Sequence, residues 1–260
     1  MSLRVAVAKM HGARNDFVLI DERAPRITDY PSFARWICDR RGGIGGDGLL
    51  IVLPSRGEDA RMRIFNADGS EAEMCGNGMR CFVRWLYERG GLRRERMTIE
   101  TAAGTIACAV LSDDPLHFVV EVRVTEPTFP PADGAGGVAV STGNPHRVHF
   151  VEAVEGYDLA GLAGPAPQVN VHIAQVLAEH ALRVRHFERG VGETPACGTG
   201  IAASAAAAMR AGHARSPVRV EVPGGTVEVV WDEHGLVIRG EAAYVFDTEV
   251  DAPQAAGSAR

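Results

Sequence analysis

The chain has 260 residues, with 27 Lys and Arg against 33 Asp and Glu, a formal net charge of −6 and a pI near 5.9. That balance, with arginines scattered rather than striped on one face, excludes a broad electrostatic attraction to nucleic acid. No run approaches about 18 apolar residues, and the opening MSLRVAVAKMHG lacks a signal peptide's apolar core and cleavage site, so the expectation is a cytoplasmic protein with no membrane partner.

Taken in order, residues 3–7 and 17–21 read as strands flanking a polar turn at 11–16. Phe33, Trp36 and Ile37 have the i, i+3, i+4 spacing of a buried face and predict a helix over 32–40. The glycine-rich run 40–48 follows that helix and feeds a strand at 49–53. A dinucleotide loop requires the reverse context, so the run reads as a turn that lets backbone approach a site. A strand at 62–65 and a turn-rich loop lead to Cys75, where a helix begins; Met79, Phe82, Val83, Leu86 and Tyr87 carry it to Glu88, before Gly90-Gly91. Strands at 98–101 and 105–111 close a first domain, 1–114, with the boundary at 112–115.

The second domain, 115–251, opens with a strand at 116–124 and a Pro/Gly loop. Strands at 138–140 and 148–151 flank the turn Thr142-Gly143-Asn144-Pro145-His146. An Ala/Gly/Pro-rich segment at 159–167 precedes strands at 169–176 and 183–187. The helix at 200–211 is apolar nearly all round and is therefore expected to be buried. Strands at 218–222, 226–231 and 236–240 follow, and 252–260 reads as a frayed tail.

The two halves repeat. Arg63, Phe65, Glu71, Cys75, Gly76, Gly78 and Gly90 are matched by Arg185, Phe187, Glu193, Cys197, Gly198, Gly200 and Gly212, every pair 122 positions apart. Glu100, Gly104 and Thr105 match Glu221, Gly225 and Thr226 at an offset of 121. Each half is mostly short strands around one helix with a cysteine at its start, which predicts an α+β fold.

Five cysteines at irregular spacing, Cys38, Cys75, Cys81, Cys108 and Cys197, argue against a disulfide framework. With no CxxC pair they make a poor zinc site. Cys38, Cys81 and Cys108 read as small buried hydrophobes. Cys75 and Cys197 differ, because unpaired amides and the helix dipole at a helix start favour the thiolate and predict a lowered pKa. A Cys-His dyad would leave one of two matched cysteines unexplained. A pyridoxal-phosphate enzyme needs a Schiff-base lysine, and Lys9 is the only lysine. The expectation is therefore no cofactor and no metal.

With these stretches in view, the chain resembles the diaminopimelate epimerase family of cofactor-independent amino-acid racemases, from about residue 9 to 246. The likeness rests on Phe65-Asn66-Ala67-Asp68-Gly69-Ser70-Glu71 with CGNG, on Gly143-Asn144-Pro145-His146, and on Glu188-Arg189-Gly190-Val191-Gly192-Glu193-Thr194 before ACGTG. It implies two pseudo-symmetric domains, each a mostly antiparallel β-sheet barrel wrapped on a central helix, with the active site between them. By position, Cys75 and Cys197 would be the catalytic acid/base pair, with His146 and Glu188 tuning the thiols. Asn15, Asn66, Asn144 and Asn170 would bind substrate polar groups, Arg189 would clamp the distal carboxylate, and Gly76, Asn77, Gly198 and Thr199 would present helix N-terminal amides. Gly48 stands where the family usually carries glutamine, Val169 where a threonine is common, Arg147 where a small residue or cysteine is usual, and Arg14 in a turn that is normally Gly-rich.

The activity this resemblance implies is epimerisation of LL- to meso-diaminopimelate, an isomerase step toward lysine and peptidoglycan. The alternatives are a relative racemising another amino acid, such as histidine, and a non-catalytic amino-acid-binding protein of the same fold. The expected partner is a small amino-acid substrate, with a homodimer left open.

Overall fold

In the computed structural model, which describes residues 3–131, 134–165 and 167–253, the chain opens with an antiparallel hairpin of β1 (Leu3–Gly12) and β2 (Asn15–Asp21). Both turn residues, Ala13 at φ 53° and Arg14 at φ 60°, occupy the left-handed region. This turn matches the twist of the strands, but it favours Asn-Gly because a Cβ costs about 1–2 kcal/mol there. Arg14→Gly should therefore raise Tm by about 2–4 °C in calorimetry. An unchanged or lower Tm would show that Arg14 carries no strain.

After the hairpin come α1 (Tyr30–Ile37), β3 (Gly48–Leu53), β4 (Ala60–Asn66), the short β5 (Glu71–Ala72), α2 (Gly76–Glu88), β6 (Arg96–Thr101), β7 (Gly104–Asp114) and β8 (His117–Arg123). Helix α1 starts two residues before the expected 32, because Asp29 caps it by accepting the Ser32 amide at 3.0 Å and Pro31 suits the first turn. Strand β2 pairs parallel with β3, β3 antiparallel with β4, β4 antiparallel with β5 and parallel with β6, and β6 antiparallel with β7.

The second half supplies β9 (Val138–Ser141), β10 (Pro145–Phe150), α3 (Leu159–Ala163), β11 (Asn170–Ala178), β12 (Ala181–Glu188), β13 (Gly192–Thr194), α4 (Gly198–Arg210), β14 (Val218–Val222), β15 (Gly225–Asp232) and β16 (Gly235–Glu241). Its pairing reproduces the first half step for step: β9 with β10 antiparallel, β10 with β11 parallel, β11 with β12 antiparallel, β12 with β13 antiparallel and β14 parallel, β14 with β15 antiparallel. The sequence repeat is thus a repeat of register. Phe65 faces Glu71 and Phe187 faces Glu193, while Arg63 pairs with Glu71 at 2.6 Å as Arg185 does with Glu193 at 2.7 Å.

Two units divide the chain, Met1–Val120 with Ala242–Arg260, and Glu121–Glu241. These units differ in their bounds from the expected 1–114 and 115–251. Residues 112–115 end β7 and turn into β8 rather than separating domains, and the chain leaves the first unit within β8. A last strand, β17 (Ala243–Ala252), returns to the first unit and pairs antiparallel along the length of β1, with one irregularity between Lys9 and Met10. Ala252, expected in a frayed tail, is the last strand residue and 3 % exposed; residues 254–260 lie outside the described residues.

In the first unit, Val5, Val18, Ile20, Leu49, Ile51 and Phe65 pack with Phe33 and Ile37 of α1. Helix α2 buries even Arg84, whose guanidinium donates to the carbonyls of Ala242 and Pro115 and lies over the rings of Phe118 and Tyr244. Helix α4 is buried from Gly200 to Ala208, as its apolar surface requires. No helix among the described residues is long and apolar enough to cross a membrane.

Candidate active site

In the first unit, Cys75 caps α2 from an extended backbone (φ −142°, ψ 119°), its Sγ accepting the Gly78 amide at 3.5 Å. The thiol in turn lies 3.7 Å from Asn15 Oδ1, which also accepts from Asn77 Nδ2 at 3.2 Å. The Asn15 amide is oriented from behind. Its Nδ2 donates to Asp47 Oδ2 at 2.7 Å, and Arg40 joins Asp47 to Asp16 at 2.8 and 2.7 Å. Lys9 completes this support by donating to Asp16 at 2.5 Å and to the Gly45 carbonyl, so the chain's one lysine is committed to structure. Asn66 is exposed and bonds Ser70 at 2.9 Å, so its side chain is turned to its own loop.

Burial would raise the Asp16 carboxyl, but hydrogen bonds from Arg40 and Lys9 and the Lys9 charge outweigh it and hold the group at about 2. A depressed folded pKa contributes stability that is complete above the ordinary carboxylate value and is lost as pH falls through the folded one. Urea melts between about pH 5 and about pH 2 should show that loss in the native protein, and Asp16→Asn should flatten it. An acid limb equally steep in the variant would assign the loss to other carboxylates.

In the second unit, Cys197 begins α4 from a similar backbone (φ −120°, ψ 109°) but makes no capping hydrogen bond; Thr199 Oγ1 is 3.7 Å from the sulfur. Here the expected lowering of the pKa is overturned. Burial pushes this thiol well up and the nearby Glu188 carboxylate adds to the effect, while the Gly200 amide and the Thr199 hydroxyl pull the other way too weakly. At rest Cys197 is therefore a protonated thiol. Glu188→Gln should speed its alkylation by iodoacetamide at neutral pH, followed by peptide mass mapping; an unchanged rate would remove Glu188 from the balance. Cys38 and Cys81, both pushed up to about 12 by burial, fit the inert core role expected of them.

Glu188 accepts from the Thr194 hydroxyl at 2.6 Å. Asn170 is buried, and its Oδ1 accepts the Arg189 amide at 2.9 Å, so one carboxamide fixes the backbone that carries Arg189. The Arg189 side chain is exposed and reaches the Gln168 carbonyl at 3.4 Å. Thr142 bonds the Thr199 carbonyl at 3.2 Å and so ties the turn before Asn144 to the start of α4.

His146 is only 2 % exposed, and both its nitrogens are engaged: Nε2 with Asn144 Oδ1 at 2.8 Å and Nδ1 with His172 Nε2 at 2.8 Å. Burial lowers it to about 4, which keeps the ring neutral. His172 then meets His186. Neither residue stood out in the sequence, although antiparallel pairing of β11 with β12 sets the two directly opposite each other. Among the described residues no group of three His, Cys, Asp or Glu is arranged to hold a metal ion.

The sequence pattern described as diaminopimelate epimerase matches residues 7–130 and 138–245. The chain belongs to the diaminopimelate epimerase family. The diaminopimelate epimerase of Desulfitobacterium hafniense is 42 % identical over 272 residues, covering 92 % of this chain and 96 % of that protein. That of Methanothermobacter thermautotrophicus is 38 % identical, with 94 % and 97 % covered. Among solved structures, a PhzF-family phenazine biosynthesis protein of Bacillus anthracis shares the fold with a TM-score of 0.72 at 22 % identity, covering 95 % of this chain and 99 % of its own. A hydroxyproline epimerase of Agrobacterium vitis does so with a TM-score of 0.67 at 15 % identity, with 95 % and 91 % covered.

The glycine at position 48 is closely enclosed by backbone. Gly48 is paired with both Phe17 and Asn66, and a Cβ there would lie 2.8 Å from the Phe65 carbonyl oxygen. A glutamine at this place would force the strands apart.

Proposed function

We propose that the protein interconverts LL- and meso-diaminopimelate by moving a proton at the α-carbon, with Cys75 and Cys197 as the acid/base pair. The observation that carries this reading is a cysteine at the N-cap of the long helix in each repeat of a chain belonging to this family. Inversion requires a proton to leave one face of the α-carbon and another to arrive at the opposite face, which two thiols supply and one does not. In each direction one sulfur takes the α-proton as thiolate while the other gives its proton as thiol. The roles exchange with the handedness of the substrate.

The resting state of Cys197 suits the donor half of this cycle. A thiol held protonated by burial gives up its proton when a cation replaces water beside it, and an amino-acid substrate brings an ammonium group. Helix N-terminal amides from Gly76, Asn77, Gly198 and Thr199 stabilise the substrate carboxylate and the negative charge that grows on it as the proton leaves. Asn15, Asn66, Asn144 and Asn170 supply polar contacts, and the exposed Arg189 guanidinium supplies a bidentate clamp for the distal carboxylate. His146, with both nitrogens engaged, and Glu188 act on the thiols through their surroundings. The reading carries with it two barrels each wrapped on its long helix and a cytoplasmic location.

Incubation in deuterium oxide with LL-diaminopimelate, meso-diaminopimelate and a panel of other amino acids, read by mass spectrometry, tests the proposal. Deuterium should enter the α-position of diaminopimelate at least as fast as that of any other substrate. Exclusive exchange into another amino acid would overturn the substrate, and no exchange into any would favour a binding protein.

A further inference from the structure

His146 of β10, His172 of β11 and His186 of β12 lie on three neighbouring strands, each at most 2 % exposed. The contacts run in series: Asn144 Oδ1 to His146 Nε2 at 2.8 Å, His146 Nδ1 to His172 Nε2 at 2.8 Å, and His172 Nδ1 to His186 Nδ1 at 2.9 Å. His186 Nε2 ends the series, buried and without a hydrogen-bond partner among the described residues. A neutral imidazole has one N–H and one lone pair, so the choice at any link dictates every other link.

Only two neutral arrangements satisfy all three contacts. In the first, His186 Nδ1–H donates to His172, His172 Nε2–H to His146, and His146 Nε2–H to Asn144 Oδ1, which leaves a bare lone pair on His186 Nε2. In the second, every proton sits on the other nitrogen. His186 then buries an unpaired N–H, and Asn144 must turn its NH2 group toward His146. A buried orphan N–H is rarer and costlier than an acceptor left short, which selects the first arrangement. Burial also disfavours an imidazolium on any of the three rings, lowering His146 to about 4, His186 to about 3 and His172 in the same direction.

We propose that His172 and His186 are positioning residues, the partnerless end of His186 setting the tautomer of all three rings and so committing Asn144 to present its NH2 group to the substrate. This rests on Asn144 being a substrate contact and states what that contact recognises: an acceptor, as in a carboxylate oxygen of the amino acid. The relay is anchored at its centre, because a Cβ on Gly200 in the first turn of α4 would lie 2.5 Å from His172 Cε1.

Nitrogen NMR of the histidine-labelled native protein at neutral pH tests the relay without any substrate. The expected protons are on Nε2 of His146 and His172 and on Nδ1 of His186; the reversed pattern, or an imidazolium at any of the three, would overturn it. The kinetic test compares His172→Leu, which cannot link the neighbouring rings, with His172→Gln, whose amide offers an N–H toward His146 and a carbonyl toward His186. The leucine variant should raise KM for diaminopimelate by about tenfold or more, with kcat within about threefold, and glutamine should restore most of the loss. A folded leucine variant with native KM, or a glutamine variant as impaired as leucine, would overturn the proposal. If the leucine variant does not fold, the NMR pattern decides. A native protein that exchanges no deuterium into diaminopimelate would defeat the substrate reading while leaving the tautomer result to stand or fall by itself.

Discussion

Serine in place of either Cys75 or Cys197 should slow α-proton exchange with diaminopimelate by about 10²–10⁴-fold, the usual contribution of a positioned acid or base. A hydroxyl neither ionises near neutral pH nor receives a proton as a thiolate does, so each single substitution breaks both directions of the reaction. Stability should respond differently at the two positions. Cys75 already accepts the Gly78 amide through a weak sulfur acceptor, and serine is among the best capping residues, so Cys75→Ser should keep or raise Tm. Cys197 is 5 % exposed and makes no capping hydrogen bond, so serine there buries a hydroxyl and should lower Tm modestly. Deuterium exchange and calorimetry on the same samples separate chemistry from folding. Native turnover in either variant would end the two-thiol mechanism.

Gly200→Ala should destabilise the protein, against the ordinary rule. Alanine in place of glycine within a helix gains about 1 kcal/mol. Here the new methyl would meet the His172 ring at 2.5 Å, and that ring is held on both sides by hydrogen bonds to other buried histidines. Overpacking of this kind costs about 1–3 kcal/mol, and displacing the ring adds the loss of two contacts. Tm should fall by several degrees and KM should rise with it. The repeat supplies a control, because the matching Gly78 would place its Cβ 3.0 Å from a methyl of Leu50, a longer approach to a side chain with no hydrogen bonds to lose. Gly78→Ala should be the milder change, and the reverse order would show that the histidines are not rigidly held.

How much of this was legible in the sequence depended on whether a signal was periodic or spatial. Both long helices were visible, α2 from its apolar spacing and α4 from its all-apolar composition, and the 122-residue offset already contained the matched Arg63–Glu71 and Arg185–Glu193 pairs. The strands β5 and β13, of two and three residues, are too short to carry any period. Strand β17 was missed because most of it is exposed and its face does not alternate, with Val245 53 % and Phe246 42 % accessible. The sequence points the wrong way on the Cys197 thiol for a different reason. A helix start favours a thiolate, but desolvation and the Glu188 carboxylate depend on three-dimensional neighbours. His172 and His186 are 14 residues apart, and only the strand register reveals that they touch.

The late return of β17 to β1 has a consequence for the order in which the protein can form. Residues 121–241 are one continuous stretch, whereas the first unit is begun by the earliest residues and finished by 242–253. Until then β1 keeps an open edge from Leu3 to His11, a ready template for another chain. Synthesis thus completes the stretch that holds Cys197 before the unit that holds Cys75, and a nascent chain halted near residue 241 would carry β1 with one edge unpaired.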